Sequence, residues 1–328
     1  MAWEIESRDG VWLPQAGWWL DAKTGKERCF VSHAHSDHIA RHRTVLCSPA
    51  TARLMAERLG TSRREVLTQP FGEPHRLEFD LEATLHPAGH ILGSSQLLLE
   101  NEHGRLLFTG DFKLKPGLSC EPCATPRADV LIMETTFGLR HYSFPPAEET
   151  HRRIAEFCRE TIAAREVPVL FAYSLGKTQE VLAGLRGAGL AIMLAPASFK
   201  MTRVCEELGA SFPDYSLLDP RSCAGHVVIG PPAYGDDGWL SALPKCRTAM
   251  VSGWAADPGA AYRFRADAAF PLSDHADHAD LLAFVRAVNP SRVFTMHGFA
   301  REFASDLRAL GIEAWALGLP NQLDLKLE

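Results

Sequence analysis

Six short apolar runs in this 328-residue chain each lead to a residue with a titratable or metal-binding side chain. Trp18-Trp19-Leu20 ends at Asp21, and Phe30-Val31 leads to His33. Leu106-Leu107-Phe108-Thr109-Gly110 ends at Asp111, and Val130-Leu131-Ile132-Met133 ends at Glu134. Ala269-Phe270-Pro271-Leu272 leads to Asp274-His275, and Val293-Phe294-Thr295-Met296 ends at His297. Continuous apolar runs of this length read as strands buried on both faces. Polar groups at the carboxyl ends of such strands gather along one rim of a sheet, where α/β proteins build their sites. The pattern restricts the chain to an α/β architecture with its chemistry along one edge.

Between the runs the apolar period becomes helical, over Ala147 to Ala164, Thr178 to Leu190, Lys200 to Leu208 and Asp280 to Val288. Asp277 is the expected cap of the last helix and Asn289-Pro290 its stop. The middle of the chain has its own αβ rhythm. Strands are expected at Val167 to Ala172, Ala191 to Ala195 and Thr248 to Ser252, with a Pro- and Gly-rich stretch from Asp219 to Asp237. Residues 142–255 therefore read as an inserted lobe, and 1–141 with 256–328 as the domain it interrupts.

With 46% apolar and 23% charged residues the chain is an ordinary soluble globular protein, long enough for two domains. A net charge of −6 leaves no overall basic footprint, so a nucleic-acid substrate must be drawn by a local patch and by bound metals. Arg63-Arg64, Arg152-Arg153, Lys113 and Lys115 read first as solvated surface, and otherwise as extensions of a strand-binding groove. The first residues lack the pattern of a signal peptide, and no apolar stretch approaches membrane-spanning length, so no membrane partner is expected. Eight scattered cysteines fit a reducing cytoplasm, with Cys120 and Cys123 as an incidental CxxC.

The densest chemistry is His33-Ala34-His35-Ser36-Asp37-His38, directly after the apolar Cys29-Phe30-Val31. Imidazole nitrogen and carboxylate oxygen suit zinc and its neighbours. Alternating directions put His33, His35 and Asp37 on one side, with His38 on the next turn, so one loop can serve two metals. Further ligands are needed to close two sites. His90, between the glycines of Ala88-Gly89-His90-Ile91-Leu92-Gly93, is one; Asp111, able to bridge through two oxygens, and His297 are the others. One metal would take His33, His35, His90 and Asp111, and the other Asp37, His38, Asp111 and His297. Asp37 is counted among the catalytic residues as well as the ligands. Asp21 is expected to accept a ring N–H from His35 or His33 and fix its tautomer. Two divalent metal ions, zinc first and manganese next, are the expected cofactors. A bridging hydroxide between cations ~3.5–4 Å apart is a nucleophile at neutral pH, suited to in-line displacement at a phosphoester.

The order Asp21, His33-x-His35-x-Asp37-His38, His90, Asp111 resembles the metallo-β-lactamase superfamily. Glu134 in Met133-Glu134-Thr135-Thr136-Phe137-Gly138, His275 in Ser273-Asp274-His275-Ala276-Asp277, and His297 resemble the three motifs of its nucleic-acid branch, the β-CASP nucleases. Phe171 to Glu180 is similar to the strand–turn–helix of the β-CASP insertion, and the bacterial ligase-associated DNA exonucleases give the nearest phrasing. The resemblance implies an αββα sandwich with an inserted αβ lobe. It implies a dimetal phosphodiester hydrolase, a DNA exonuclease in repair, associated with an ATP-dependent DNA ligase and a helicase. His275 would be the general acid and Glu134 its partner. Ser94, Ser95, Ser174 and Lys177 are candidates for holding flanking phosphates.

One departure keeps a rival open. The DNA-processing relatives usually carry valine where His297 stands, whereas RNA-processing members such as ribonuclease J carry histidine. DNA is thus favoured as partner, with an RNA-processing nuclease of the same fold as the alternative. A small-molecule thioester hydrolase would share the metal ligands but leave the lobe, His275 and Glu134 unexplained. A non-catalytic scaffold conflicts with the complete ligand set.

Overall fold

A computed structural model describes residues 3–60, 64–78, 80–232 and 238–318. Arg63 and the end of the Pro- and Gly-rich stretch, 233–237, lie outside the described residues. The chain divides into two compact units. Met1–Pro116, Glu121–Tyr142 and His275–Glu328 form the first, and Gly117–Cys120 with Ser143–Asp274 the second.

Two mixed sheets build the first unit. A six-stranded sheet runs in the order Glu6–Ser7, Val11–Leu13, Trp18–Leu20, Arg28–Phe30, Thr44–Cys47 and Glu65–Thr68. A seven-stranded sheet runs in the order Glu313–Ala316, Arg292–Met296, Val130–Glu134, Gly104–Phe108, Ser95–Asn101, Leu81–Pro87 and Pro74–Glu78. Its first four strands are parallel and the rest antiparallel.

The two-residue period of a strand explains why the central runs are apolar throughout. Leu106, Phe108, Val130 and Ile132 turn to the other sheet, where they meet Leu13, Leu20, Phe30 and Leu46. Leu107, Leu131 and Met133 turn the other way, onto Phe284 and Val285 of the helix His278–Val288 and Phe303 and Leu307 of the helix Ala300–Ala309. The helix Pro49–Leu59 lies against the first sheet and buries Leu54 and Met55. Helix, sheet, sheet and helix thus form four layers, the expected αββα sandwich. Asp277 caps His278–Val288 by accepting from the Asp280 N–H at 3.0 Å, and Asn289 ends the helix in the left-handed conformation.

The second unit is a wholly parallel six-stranded sheet, in the order Ser216–Leu217, Ala191–Leu194, His226–Gly230, Val167–Phe171, Cys246–Val251 and Ala268–Phe270. Both faces are apolar, as parallel sheets require. Two expectations change here. The helix expected to Leu190 ends at Gly184, because Gly187 and Gly189 take positive φ (76° and 68°) and reverse the chain. The lobe also extends past 255. Ala268–Phe270 pairs in parallel with Ala249–Val251, so residues 256–274 go with the second unit and the return falls at His275.

Candidate metal centre

Each strand that carries a candidate residue in the first unit stops just short of it. Arg28–Phe30 is followed by His33, Gly104–Phe108 by Asp111, and Arg292–Met296 by His297, while Glu134 is itself the last residue of its strand. His90 comes from the loop after Leu81–Pro87. That loop turns at Gly89, whose φ is 76° and where a Cβ would fall 2.4 Å from the Lys113 carbonyl oxygen. Only glycine fits there.

These side chains converge. His33 Nε2 is 3.0 Å from His35 Nδ1, and His90 Nε2 is 3.1 Å from the same atom. Asp111 Oδ2 lies 3.7 Å from His33 Nε2, 3.4 Å from His38 Nε2 and 3.9 Å from His90 Nε2. His38, Asp111 and His297 offer atoms that all lie within 4.8 Å of one another, as do His33, His35 and His90. Asp37 stands at the rim, its side chain 72% exposed and its Oδ2 3.7 Å from His38 Nε2.

The donor set fits metal ions. Three imidazole nitrogens about 3 Å apart cannot all be satisfied by hydrogens between them, so lone pairs point at a common position. His33, His38 and His90 are buried, which keeps water from relieving the crowding. A divalent cation satisfies such a convergence of nitrogen and carboxylate oxygen.

Tautomers are fixed from behind. Asp21 Oδ2 accepts from His38 Nδ1 at 2.9 Å and from the Ser32 hydroxyl at 2.6 Å, while Oδ1 accepts from the Ser32 N–H at 2.7 Å. The Ser32 hydroxyl, having given its hydrogen to Asp21, accepts from His33 Nδ1 at 2.9 Å. Both rings therefore turn Nε2 toward the cluster. The expectation that Asp21 meets His35 or His33 directly is corrected: it holds His38, and reaches His33 through Ser32. Ser32 escaped the sequence reading because a hydroxyl beside a histidine carries no spacing signal.

Electrostatics follow from this packing. Burial, with the imidazoles of His38, His35 and His90 around it, pushes His33 well below the ordinary 6.5. Burial acts the same way on His38, but the Asp111 and Asp21 carboxylates overcome it and hold His38 well above 6.5. Burial opposes ionisation of Asp111, yet the imidazoles of His38, His275 and His33 keep its carboxyl well below the usual carboxylate range.

Beside the cluster, His275 Nδ1 meets Glu134 Oε1 at 2.9 Å. Glu134 is buried, and its Oε2 accepts from the Thr136 N–H at 2.7 Å. The His275 ring centre is 4.6 Å from that of His90.

The residues expected to hold phosphates are placed differently. Ser94 is buried, and its hydroxyl accepts from the His90 and Ile91 N–H groups at 3.1 and 3.2 Å, shaping the loop that presents His90. The Ser95 hydroxyl is buried and donates to the Ser32 carbonyl at 3.1 Å. Lys177, in the second unit, is also buried, donating to the Leu272 carbonyl at 2.7 Å and pairing with Asp274 at 3.0 Å. The side chains of Ser94, Ser95 and Lys177 are thus engaged in internal bonds. Ser174 is half-buried in the second unit, where its carbonyl accepts from Gln179 at 3.1 Å. Among the basic residues, Lys115 pairs with Asp277 and Asp280, and Arg152 with Glu156.

Comparison with known proteins decides the family. A family described as "RMMBL: Zn-dependent metallo-hydrolase RNA specificity domain" matches residues 263–317. A "Probable DNA ligase" of Opitutus terrae is 57% identical over 326 residues, 99% of this chain but 32% of that protein. "5' exonuclease Apollo" of Gallus gallus is 26% identical over 95% of this chain and 68% of its own length. The chain belongs to the metallo-β-lactamase superfamily, in its β-CASP branch. It spans about a third of the Opitutus protein. A crystal structure of a protein of unknown function from Enterococcus faecalis V583 shares the fold, with a TM-score of 0.59 at 14% identity over 89% of this chain and 79% of that one. The family matched over residues 263–317 is described as zinc-dependent, and the buried His and Asp clusters described above are suited to metal ions. No helix among the described residues is long and apolar enough to cross a membrane.

Proposed function

We propose that this β-CASP protein hydrolyses phosphodiester bonds in nucleic acid, as a DNA exonuclease serving repair. The observation that carries the reading is the convergence of His33, His35, His90, His38, Asp111 and His297, with His275 and Glu134 beside them. His33, His35, His90 and Asp111 would hold one cation, and His38, Asp111 and His297 the other, with Asp37 at the second site's open side. Bound there, two divalent ions supply Lewis acidity and an activated water.

The chain's own groups do the rest. Asp21 and Ser32 hold the Nδ1 hydrogens of His38 and His33, which turns both Nε2 atoms toward the positions a cation would take. Glu134 accepts the Nδ1 hydrogen of His275, which orients the ring and leaves Nε2 to carry a proton to the departing oxygen. The Thr136 N–H holds Glu134 in place for this.

DNA is favoured by two matches that span nearly all of this chain, to a probable DNA ligase and a 5′ exonuclease. The first also supports functional association with a DNA ligase. A cytoplasmic setting goes with eight free cysteines. RNA is the second reading, favoured by the words "RNA specificity domain" for residues 263–317 and by histidine at 297.

The test is incubation of the chain, loaded with zinc or manganese, with end-labelled single- and double-stranded DNA and RNA of one sequence. Stepwise loss of label from DNA ends is expected. A strong preference for RNA overturns the DNA assignment. Thioester turnover without cleavage of either nucleic acid overturns the nuclease.

A further inference from the structure

We propose that Thr135 is a positioning residue for His297, clamping its backbone so that the imidazole stays in the second cation site. The proposal rests on the reading of His297 as a ligand there.

His297 has φ 60°, the left-handed region that side chains with a Cβ rarely adopt. Gly298 follows at φ 50°. Two successive left-handed residues turn the chain sharply off the end of Arg292–Met296. A residue in this conformation persists only where its surroundings fix it.

Thr135 supplies that surrounding with all three of its polar groups. Its N–H donates to the Met296 carbonyl at 2.8 Å. Its carbonyl accepts from the Phe299 N–H at 3.0 Å, beyond the turn. Its hydroxyl lies 2.8 Å from the His297 carbonyl oxygen and 3.1 Å from that of Met296. The hydroxyl has one hydrogen, and the shorter bond goes to His297 itself. The turn is pressed against the same segment, since a Cβ on Gly298 would lie 2.5 Å from Thr136 Cα. Thr135 is fully buried, so no water replaces its hydroxyl if it is lost.

The neighbours give the clamp its meaning. Glu134 accepts from His275, and Thr136 holds Glu134. One tripeptide therefore sets both the proton donor and a ligand of the second site. Rotation of the His297 peptide would carry its ring out of the group it forms with His38 and Asp111.

The experiment compares wild type, Thr135→Val, Thr135→Ser and His297→Ala by equilibrium dialysis against zinc, with melting of each metal-free chain as control. Valine keeps the shape and removes the hydroxyl; serine keeps the hydroxyl. Loss of a partner behind a ligand typically weakens metal affinity 10–100-fold. Thr135→Val should weaken one of the two sites by that factor and leave the other within about twofold, as a milder form of His297→Ala. Thr135→Ser should restore two-site binding. Three results overturn the proposal: two wild-type sites in Thr135→Val, equal weakening of both sites, or serine behaving as valine. If wild type itself binds fewer than two zinc ions, the two-cation reading fails and this proposal with it. That outcome is visible before any variant is compared.

Discussion

Replacing Asp21 with asparagine exchanges an oxygen for an NH2 group and should weaken both metal sites. Asp21 accepts three hydrogens: the Ser32 N–H at Oδ1, and the Ser32 hydroxyl and His38 Nδ1 at Oδ2. An amide has one acceptor oxygen. Among the described residues the Ser32 N–H donates only to Asp21, so the oxygen stays at Oδ1 and the NH2 group takes the place of Oδ2. It then points at two donors. His38 escapes by moving its hydrogen to Nε2, the atom that faces Asp111 at 3.4 Å. The Ser32 hydroxyl escapes by donating to His33 Nδ1, which moves the His33 hydrogen to Nε2 as well. Both rings then offer N–H where a lone pair is required.

Losing an outer partner of this kind costs about 10–100-fold in affinity. At about 1.4 kcal/mol per factor of ten, that is about 1.4–2.8 kcal/mol at each site. It is comparable to one hydrogen bond to a charged group, about 1.5–3 kcal/mol. The assay is competition for zinc against a fluorescent chelator, with far-ultraviolet circular dichroism to confirm that the variant is folded. A folded Asp21→Asn chain that binds zinc within twofold of wild type would refute the tautomer argument.

Other consequences separate ligands from the acid and expose the charge state of the centre. Asp111→Ala removes the carboxylate shared by both sites, so zinc content should fall at both and hydrolysis should be lost; metal analysis of the purified variant checks it. His275→Ala should slow hydrolysis by about 10²–10⁴-fold while zinc content stays at the wild-type value, and equal metal loss in both variants contradicts the division of roles. The raised His38 pKa means that zinc must displace a proton at neutral pH. Affinity should weaken by about tenfold for each pH unit lowered while His38 is protonated, with about one proton released on loading in unbuffered solution. The sign for metal-free stability is the reverse of an acid's. A histidine raised by folding stabilises fully below its ordinary 6.5, and that contribution is lost as pH rises through the higher folded value.

Much of this arrangement was legible because it is written locally. His33 to His38 is a density of ligands that a plain loop does not need, and the apolar runs at 106–108 and 130–133 mark strands covered on both sides. Periodicity and end residues therefore brought out the α/β architecture and the rim, while the αββα sandwich came with the family resemblance. What stayed hidden depends on distance through space. Asp21 points to His38 because the strand Trp18–Leu20 pairs with Arg28–Phe30, which places its carboxylate under the Ser32 turn. Ser94 and Lys177 read as candidate phosphate contacts, since nothing in their spacing reveals the backbone groups that claim them. The lobe's extent was misjudged because Ala268–Phe270 is only three residues long. Its run resembles those that end at the rim, yet its pairing partner lies in the other sheet.

Diffraction from zinc-loaded crystals, recorded above and below the zinc edge, tests the central claim most directly. Two anomalous peaks are predicted, one among His33, His35, His90 and Asp111, and one among His38, Asp111 and His297. A single peak, or peaks bonded to other side chains, would contradict the two-cation centre.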